Sequence, residues 1–256
     1  MKIATWNVNS LKVRLPQVLD WARGVAPDIL ALQETKLTDD NFPGGEIGRS
    51  GYRTVYAGQK TYNGVAILSR AAPENLETDF ADRTTAERRT IAATYGGVRV
   101  VNLYVVNGQE VGSQKYEYKL RWLDSVAGYL AKQLEAWRDV VVVGDFNIAP
   151  EDRDVHDPDA WRERILCSTP ERKALQQILA LGFTDVFRVF NPDPGNFSWW
   201  DYRAAAFRRN LGLRIDLILA SERMRDRCTG CFIDKSPRKN ERPSDHAPVI
   251  AEFSAS

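Results

Sequence analysis

The apolar positions of the chain fall into short dense runs and longer stretches with helical spacing. Val140 to Val143 are four consecutive valines ahead of Gly144. β-Branched side chains in an unbroken run suit a strand covered on both faces, and the run is too short for a helix. Lys2 to Val8 alternates apolar and polar, and Asp28 to Glu34 (DILALQE) reads as a second buried strand. Strands are also predicted over Tyr52–Ala57, Gly64–Ser69, Thr90–Tyr95, Val98–Val106, Asn196–Tyr202, Arg214–Ala220, Gly230–Asp234 and Ala247–Phe253, separated by turn residues. Helical spacing is found at Arg14–Gly24, where Leu15, Val18, Leu19 and Ala22 share a face and a glycine follows. A short helix is predicted within Phe42–Ser50. The longest lies over Lys115–Trp137, with Trp122, Val126, Tyr129, Leu130, Gln133, Leu134 and Trp137 facing the core. Pro170 opens another that ends at Leu181, and Pro150 to Trp161 is a polar loop. Nothing in this succession resembles a linker, a repeat or a low-complexity segment. The expected architecture is α/β (α+β), one domain over residues 1–256, with two mixed sheets face to face and helices outside.

Composition narrows the function. At 256 residues and 43% hydrophobic the chain can bury a large core, and its formal net charge of +1 excludes a protein that coats nucleic acid by bulk charge. Phosphates must be met by local patches. Three cysteines (Cys167, Cys228, Cys231) do not make a disulfide framework and point to a reducing compartment. Cys228 and Cys231 form a single CxxC with no second pair, which argues against zinc. The start, MKIATWNVNS, enters a strand directly and no apolar run approaches membrane-spanning length, so a cytoplasmic protein without a membrane partner, and a monomer, is expected.

The chemistry gathers at strand ends. Asp145 and Asn147 follow the valine run two residues apart and point the same way. A turn rich in Asn and Asp that merely caps a strand is the plain alternative. Asn7 and Asn9 follow the first strand and Glu34 the second. Asp216 interrupts the apolar run LRIDLIL, and Asp245-His246 sits just before the last strand, with His246 one of only two histidines. Carboxylates are costly to bury without a partner, so several at buried strand ends call for a shared cation. Oxygen and amide donors favour a hard ion, Mg²⁺ or Mn²⁺.

In order along the chain stand WNVNS, LQETK, NGVAILS, NLYVVNG, GDFNIAP, WWDYRAAAFRRNLGLRIDLIL and PSDHAPV. In these the sequence resembles the exonuclease III family of abasic-site (AP) endonucleases and 3′→5′ exonucleases, within the deoxyribonuclease I-like endonuclease/exonuclease/phosphatase superfamily. The resemblance covers nearly the whole chain. It implies a four-layered α/β sandwich with its site at one rim between the sheets. It implies a divalent-metal-dependent DNA-repair phosphodiesterase leaving a 3′-hydroxyl, acting on duplex DNA with abasic sites or blocked or recessed 3′ ends. AP endonuclease, 3′→5′ exonuclease and 3′-phosphodiesterase/phosphatase activities are all implied. By its motifs Glu34 would be the principal metal ligand, with Asn7 beside it and Asp245 contributing. Asp145 would orient or deprotonate the attacking water, and Asn147 would hold a phosphate oxygen. Asp216 and Asp245 would position His246, which would contact the scissile phosphate. Tyr104 would reach the same phosphate, with Asn107 nearby.

Two stretches bear on substrate. Arg203 to Arg214 carries Arg203, Arg208, Arg209 and Arg214 around Phe207 with no acid, which suits a loop lying on phosphates and touching a groove. By family position Trp199, Leu213 and Ile215 would line an apolar pocket for a base-free deoxyribose. Lys235 to Arg242 is a second basic run, read as a backbone contact. The chain departs from the family pattern at Ser10, where many relatives have Gly, and at Cys167 to Pro170. Cys167 is expected to tilt the balance towards 3′-end processing, the alternative being a small hydrophobe in the core. Rival readings are a phosphoinositide or sphingomyelin phosphodiesterase on the same scaffold, or a non-catalytic DNA-binding relative. The basic-aromatic loop argues against the first, and Glu34, Asp145 and His246 argue against the second.

Overall fold

The four-valine run forms the strand Val140–Asp145, and its two faces are buried against different partners. Val141 and Val143 enter a core between two sheets, while Val140 and Val142 face helices on the far side. The strand Ile29–Gln33 has the same division, with Ile29 and Ala31 inward and Leu30 and Leu32 against the outer helices. Continuous apolar runs follow from having no solvated face. The structure, a computed structural model, describes residues 1–82, 85 and 87–255.

One six-stranded sheet runs in the order Cys228–Ile233, Val249–Phe253, Lys2–Asn7, Ile29–Gln33, Val65–Ser69, Arg53–Ala57. The other runs Glu74–Thr78, Thr90–Tyr95, Val98–Tyr104, Val140–Asp145, Asp216–Ser221, Phe183–Asp185. Each sheet is antiparallel except at one pair: Lys2–Asn7 beside Ile29–Gln33, and Val98–Tyr104 beside Val140–Asp145. Both parallel pairs end at the same rim. The helix Leu11–Val25 covers the first sheet, and the helices Gln114–Ala136 and Thr169–Ala180 cover the second. The layers are helix, sheet, sheet, helix, as the resemblance implied.

A polar link fixes the sheets against each other inside the apolar core. Asn102 Nδ2 donates to the carbonyls of Leu32 and Ala66 in the opposing sheet, each at 3.0 Å. Its Oδ1 accepts from Gln33 Nε2 at 2.7 Å, and Gln33 also donates to Thr5 Oγ1 at 2.9 Å. Apolar packing alone lets sheets slide, whereas directional bonds in a low-dielectric interior select one registration. Gly144 lets two strands approach: at φ 145° a Cβ there would lie 1.9 Å from the Leu103 carbonyl oxygen.

Several elements differ from expectation. The first helix starts at Leu11, runs through Pro16 and passes Gly24, because Leu11, Leu15, Val18 and Ala22 bury one face. Ala26 ends it instead, left-handed at φ 52° with Pro27 next. Within Asn196–Tyr202 only Trp199–Trp200 is strand, paired with Gly212–Leu213 as a two-stranded ribbon. The strands Glu74–Thr78 and Phe183–Asp185 and the helices Val186–Phe190 and Glu222–Arg227 were not anticipated. The two strands are edge strands; the first is largely exposed and the second only three residues long, so neither carries a buried periodic pattern.

Ser10, before the first helix, has φ 91°, where a side chain is strained, and its hydroxyl makes no capping bond. Its amide still donates to the Glu34 carbonyl at 2.8 Å. Ser10→Gly is therefore expected to raise stability by about 1 kcal/mol, read as a higher denaturant midpoint at unchanged slope.

Candidate active site

At the common rim the two sheets meet through one side chain. Asn7 ends a strand of the first sheet, and its Nδ2 donates at 2.8 Å both to Glu34 Oε1 and to Asp145 Oδ2 of the second sheet. Asp145 is opposite Tyr104 in the parallel pair and opposite Asp216 in the antiparallel one. Register thus delivers three polar side chains side by side. His246 arrives from the loop before Val249–Phe253, its backbone bridged to Trp199.

Asp216 is fully buried and its carboxylate faces His246 Nδ1 at 2.9 and 3.1 Å, while Ser198 Oγ donates to it at 2.6 Å. This leaves His246 Nε2 pointing at the site, 3.8 Å from Asp145 Oδ2. Burial opposes a charge on His246, yet Asp216 and Asp145 outweigh it and raise its pKa to about 10. The ring is an imidazolium at neutral pH. Burial raises Asp145 to about 7, His246 and the donors Asn7 and Asn147 acting in the opposite direction. A carboxyl poised there can take a proton from water, and a fixed imidazolium can stabilise developing negative charge. Tyr104 is held well above its ordinary pKa by burial and by the Glu34 and Asp145 carboxylates, so it keeps its proton and is a donor. Arg89 lies over its ring, 4.8 Å from the centroid.

Asn147 is left-handed at φ 49°, with its amide bonded to Asp145 Oδ1 at 2.9 Å and its Oδ1 accepting from Asn107 Nδ2 at 3.0 Å. Glu34, at φ 52°, pairs with Lys36 at 2.9 Å. Ligand atoms of Glu34, Asp145 and His246 lie within 4.8 Å of one another. Oxygen donors suit a hard cation, which would be held here by the Glu34 and Asp145 carboxylates. Asn7 donates through Nδ2, and its Oδ1 accepts the Asn9 amide at 2.9 Å with a second lone pair left over. Asp245 is turned elsewhere: its oxygens accept from Asn9 Nδ2 at 2.9 Å and Trp199 Nε1 at 3.0 Å. Among the described residues Asp216 is the carboxylate hydrogen-bonded to the ring, and Asp245 acts on His246 through its charge.

The profile of the Endonuclease/Exonuclease/phosphatase family matches residues 4–246. The chain belongs to that family. It is 36% identical to the Exodeoxyribonuclease III of Haemophilus influenzae over 99% of this chain and 100% of the relative. The 3′ phosphatase NExo from Neisseria, solved with a product DNA hairpin, superposes with a TM-score of 0.98 at 47% identity over the full length of both chains. An AP endonuclease from Archaeoglobus fulgidus gives 0.96 at 41% identity, also over the full length of both. The two six-stranded sheets with flanking helices are the fold of these family members.

Beside this carboxylate and histidine cluster, Trp199, Leu213 and Ile215 form an apolar cluster with Ala149, Val155, Leu166 and Cys167. Cys167 is buried at 4% exposure, and burial raises its thiol to about 12, so it is neutral and inert. It packs as a small hydrophobe and against the expected pocket residues at once. Arg203, Arg208 and Arg209 are exposed. Two members of that loop correct the sequence reading. Arg214 is fully buried, bonding Asp154 Oδ1 at 2.6 Å and Asp185 Oδ2 at 2.7 Å; its acids lie 60 and 29 residues away in sequence. Phe207 turns inward, edge-on to Trp200 at 5.0 Å and beneath Arg238 at 4.9 Å. Arg238 itself, in the second basic run, is buried and donates to the Ser244 carbonyl, which leaves exposed Lys239 and Arg242 to face solvent. Sequence reading passed over Lys36, Ser198 and Lys119. Only Lys119 carried a signal, a charge on a helix face between Tyr116 and Leu123.

The pKa shifts of the site fix a pH dependence. Folding raises His246 from 6.5 to about 10 and Asp145 from 3.8 to about 7, so the native state binds protons more tightly at both. Such a contribution is complete below the ordinary pKa and is lost as pH rises through the folded one. In chelator, stability should decline between about pH 4 and pH 10, and His246→Asn should remove the histidine's share of the decline while moving that of Asp145 to higher pH, because the imidazolium lowers Asp145; denaturant midpoints across pH measure both.

Proposed function

We propose that this chain is a divalent-metal-dependent hydrolase of DNA phosphodiesters and 3′-phosphoryl groups, leaving a 3′-hydroxyl at sites of repair. The supporting observation is the convergence of Glu34, Asp145 and an Asp216-held His246 beside the Trp199 cluster. Oxygen donors at the rim favour Mg²⁺, with Mn²⁺ accepted. Glu34 would hold the ion with Asp145 beside it; the ion supplies Lewis-acid polarisation of the phosphoryl group.

The chain's own residues account for the remainder of the reaction. Asp145 orients the attacking water and accepts its proton, its buried carboxyl being matched to neutral pH. Asn107 keeps one Nδ2 hydrogen for a phosphate oxygen, and Asn147 orients it by accepting the other, its own Nδ2 being engaged by the Val105 carbonyl and Asp145 Oδ2. The Nε2–H of His246 and the Tyr104 hydroxyl stabilise the charge that builds up on phosphorus oxygens in line with attack. Asp216 keeps the proton on His246 throughout. Exposed Arg203, Arg208 and Arg209 contact backbone phosphates, and the partly exposed Trp199 meets the sugar, with the buried Leu213 and Ile215 packed behind it. Among the described residues no helix is long and apolar enough to cross a membrane, and DNA, rather than a lipid headgroup, fits the arginine loop.

We further place the dominant activity at 3′ ends, because Cys167 fills part of the cluster that an internal abasic sugar would enter. NExo, similar over its full length, is a 3′ phosphatase by description.

Duplexes bearing a 3′-phosphate, a recessed 3′-hydroxyl end or an internal abasic analogue decide the matter. Wild type should act on them in Mg²⁺ and fall silent in chelator. Asp145→Asn should lower turnover by about 10²–10⁴-fold while DNA affinity changes little. Activity persisting in excess chelator, or near-normal turnover in the variant, would overturn the assignment. Cys167→Gly should raise abasic incision relative to 3′-phosphate release. An unchanged ratio with a lower melting temperature would mean that Cys167 serves only the core.

A further inference from the structure

The long helix Gln114–Ala136 sends one ammonium into the protein. Lys119 is fully buried, and its Nζ donates to the Asn107 carbonyl at 3.1 Å, to the Asn147 carbonyl at 2.7 Å and to the Glu171 carboxylate. Glu171 is equally buried. It accepts from the amides of Leu166 and Ser168, each at 3.1 Å, and from the Ser168 hydroxyl at 2.6 Å. That hydroxyl meets Tyr116 of the same long helix at 2.7 Å.

Three turns therefore share a single joint. One follows Tyr104 and carries Asn107, one follows Asp145 and carries Asn147, and one holds Leu166 and Cys167 against Trp199. The backbone carbonyls of Asn107 and Asn147 bond Lys119 from behind, and their side chains bond each other at 3.0 Å in front. Asn147 is left-handed, anchored in front by its amide on Asp145 Oδ1 at 2.9 Å and its Nδ2 on the Val105 carbonyl at 3.0 Å, and behind by its carbonyl on the Lys119 ammonium.

Stability is a poor reason for such a pair. Burial works against the Lys119 charge, and Glu171 offsets this only in part. Replacing a buried ion pair by neutral groups of similar volume is often neutral or stabilising. What a neutral pair cannot do is place one tetrahedral donor on two carbonyls and a carboxylate at once.

We propose that Lys119, locked by Glu171, is a positioning residue that aligns Asn147 and the phosphate-binding Asn107 it orients with the sugar-binding wall at Leu166–Cys167. This rests on the functional reading above, in which the Asn107 amide, oriented by Asn147, meets the phosphate.

The test uses Lys119→Met/Glu171→Gln, which removes both charges and nearly conserves volume, and Lys119→Gln as a milder second variant should the first not fold. Turnover is measured on 3′-phosphate and internal abasic duplexes, with melting temperature and hydrogen exchange of the Asn147 amide alongside. The expected result is a fall in kcat of about 10²-fold, as for a reacting group displaced by about 1 Å, with KM for DNA little changed. The melting temperature should hold or rise, and the Asn147 amide should lose protection. A folded variant with wild-type kcat and an equally protected Asn147 amide would overturn the proposal while leaving the functional reading intact. A wild type inactive on both duplexes would remove that reading and this proposal with it.

Discussion

The structure depends on bringing carboxylates from two different sheets together at one rim, Asp145 buried and Glu34 partly so. Glu34 belongs to the first sheet and Asp145 to the second, and the two meet on the single amide of Asn7. An uncompensated buried carboxylate is too costly to survive, so the site exists only where donors and cations are already fixed. Asn7, Asn147 and the His246 imidazolium satisfy Asp145, while Lys36 satisfies Glu34. Compensation is incomplete at Asp145, which stays raised to about 7 and so remains a base. The same arithmetic that strains the fold gives the site its chemistry.

Holding this arrangement requires that the sheets do not slide. Asn102, Gln33 and Thr5 fix registration in mid-core, and the backbone of the rim turns inherits it. Further out, Arg214 with Asp154 and Asp185 ties the loop after Pro150 to the strand carrying Asp216. Arg238 ties the aromatic loop at Trp200 and Phe207 to the Ser244 carbonyl, two residues before His246. Each is a charge that sequence alone would leave on the surface, used instead as a buried brace. Backbone strain gathers at the same rim: Asn9, Ser10, Glu34, Lys36 and Asn147 all have positive φ. Left-handed non-glycine residues cost of order 1–3 kcal/mol each and persist where surroundings impose them.

The apolar pattern of the chain, by itself, determined the layered sheets, because strands covered on both faces must be continuous runs of large apolar residues. Residue type and strand-end position also marked Glu34, Asp145, Asn147, Asp216 and His246, since a carboxylate in an apolar run has few uses. Ordered motifs named the family. The tertiary structure decided which charges point inward: Arg214 and Lys119 find acids far away in sequence, which no local spacing encodes, and Arg238 turns in over Trp200 and Phe207 to a carbonyl six residues on. It also separated Asp216 from Asp245, equivalent in type, by giving the first to His246 and the second to Asn9 and Trp199. The exposed edge strand Glu74–Thr78 was likewise settled by its neighbour's backbone, because a ladder can hold a segment whose side chains bury little.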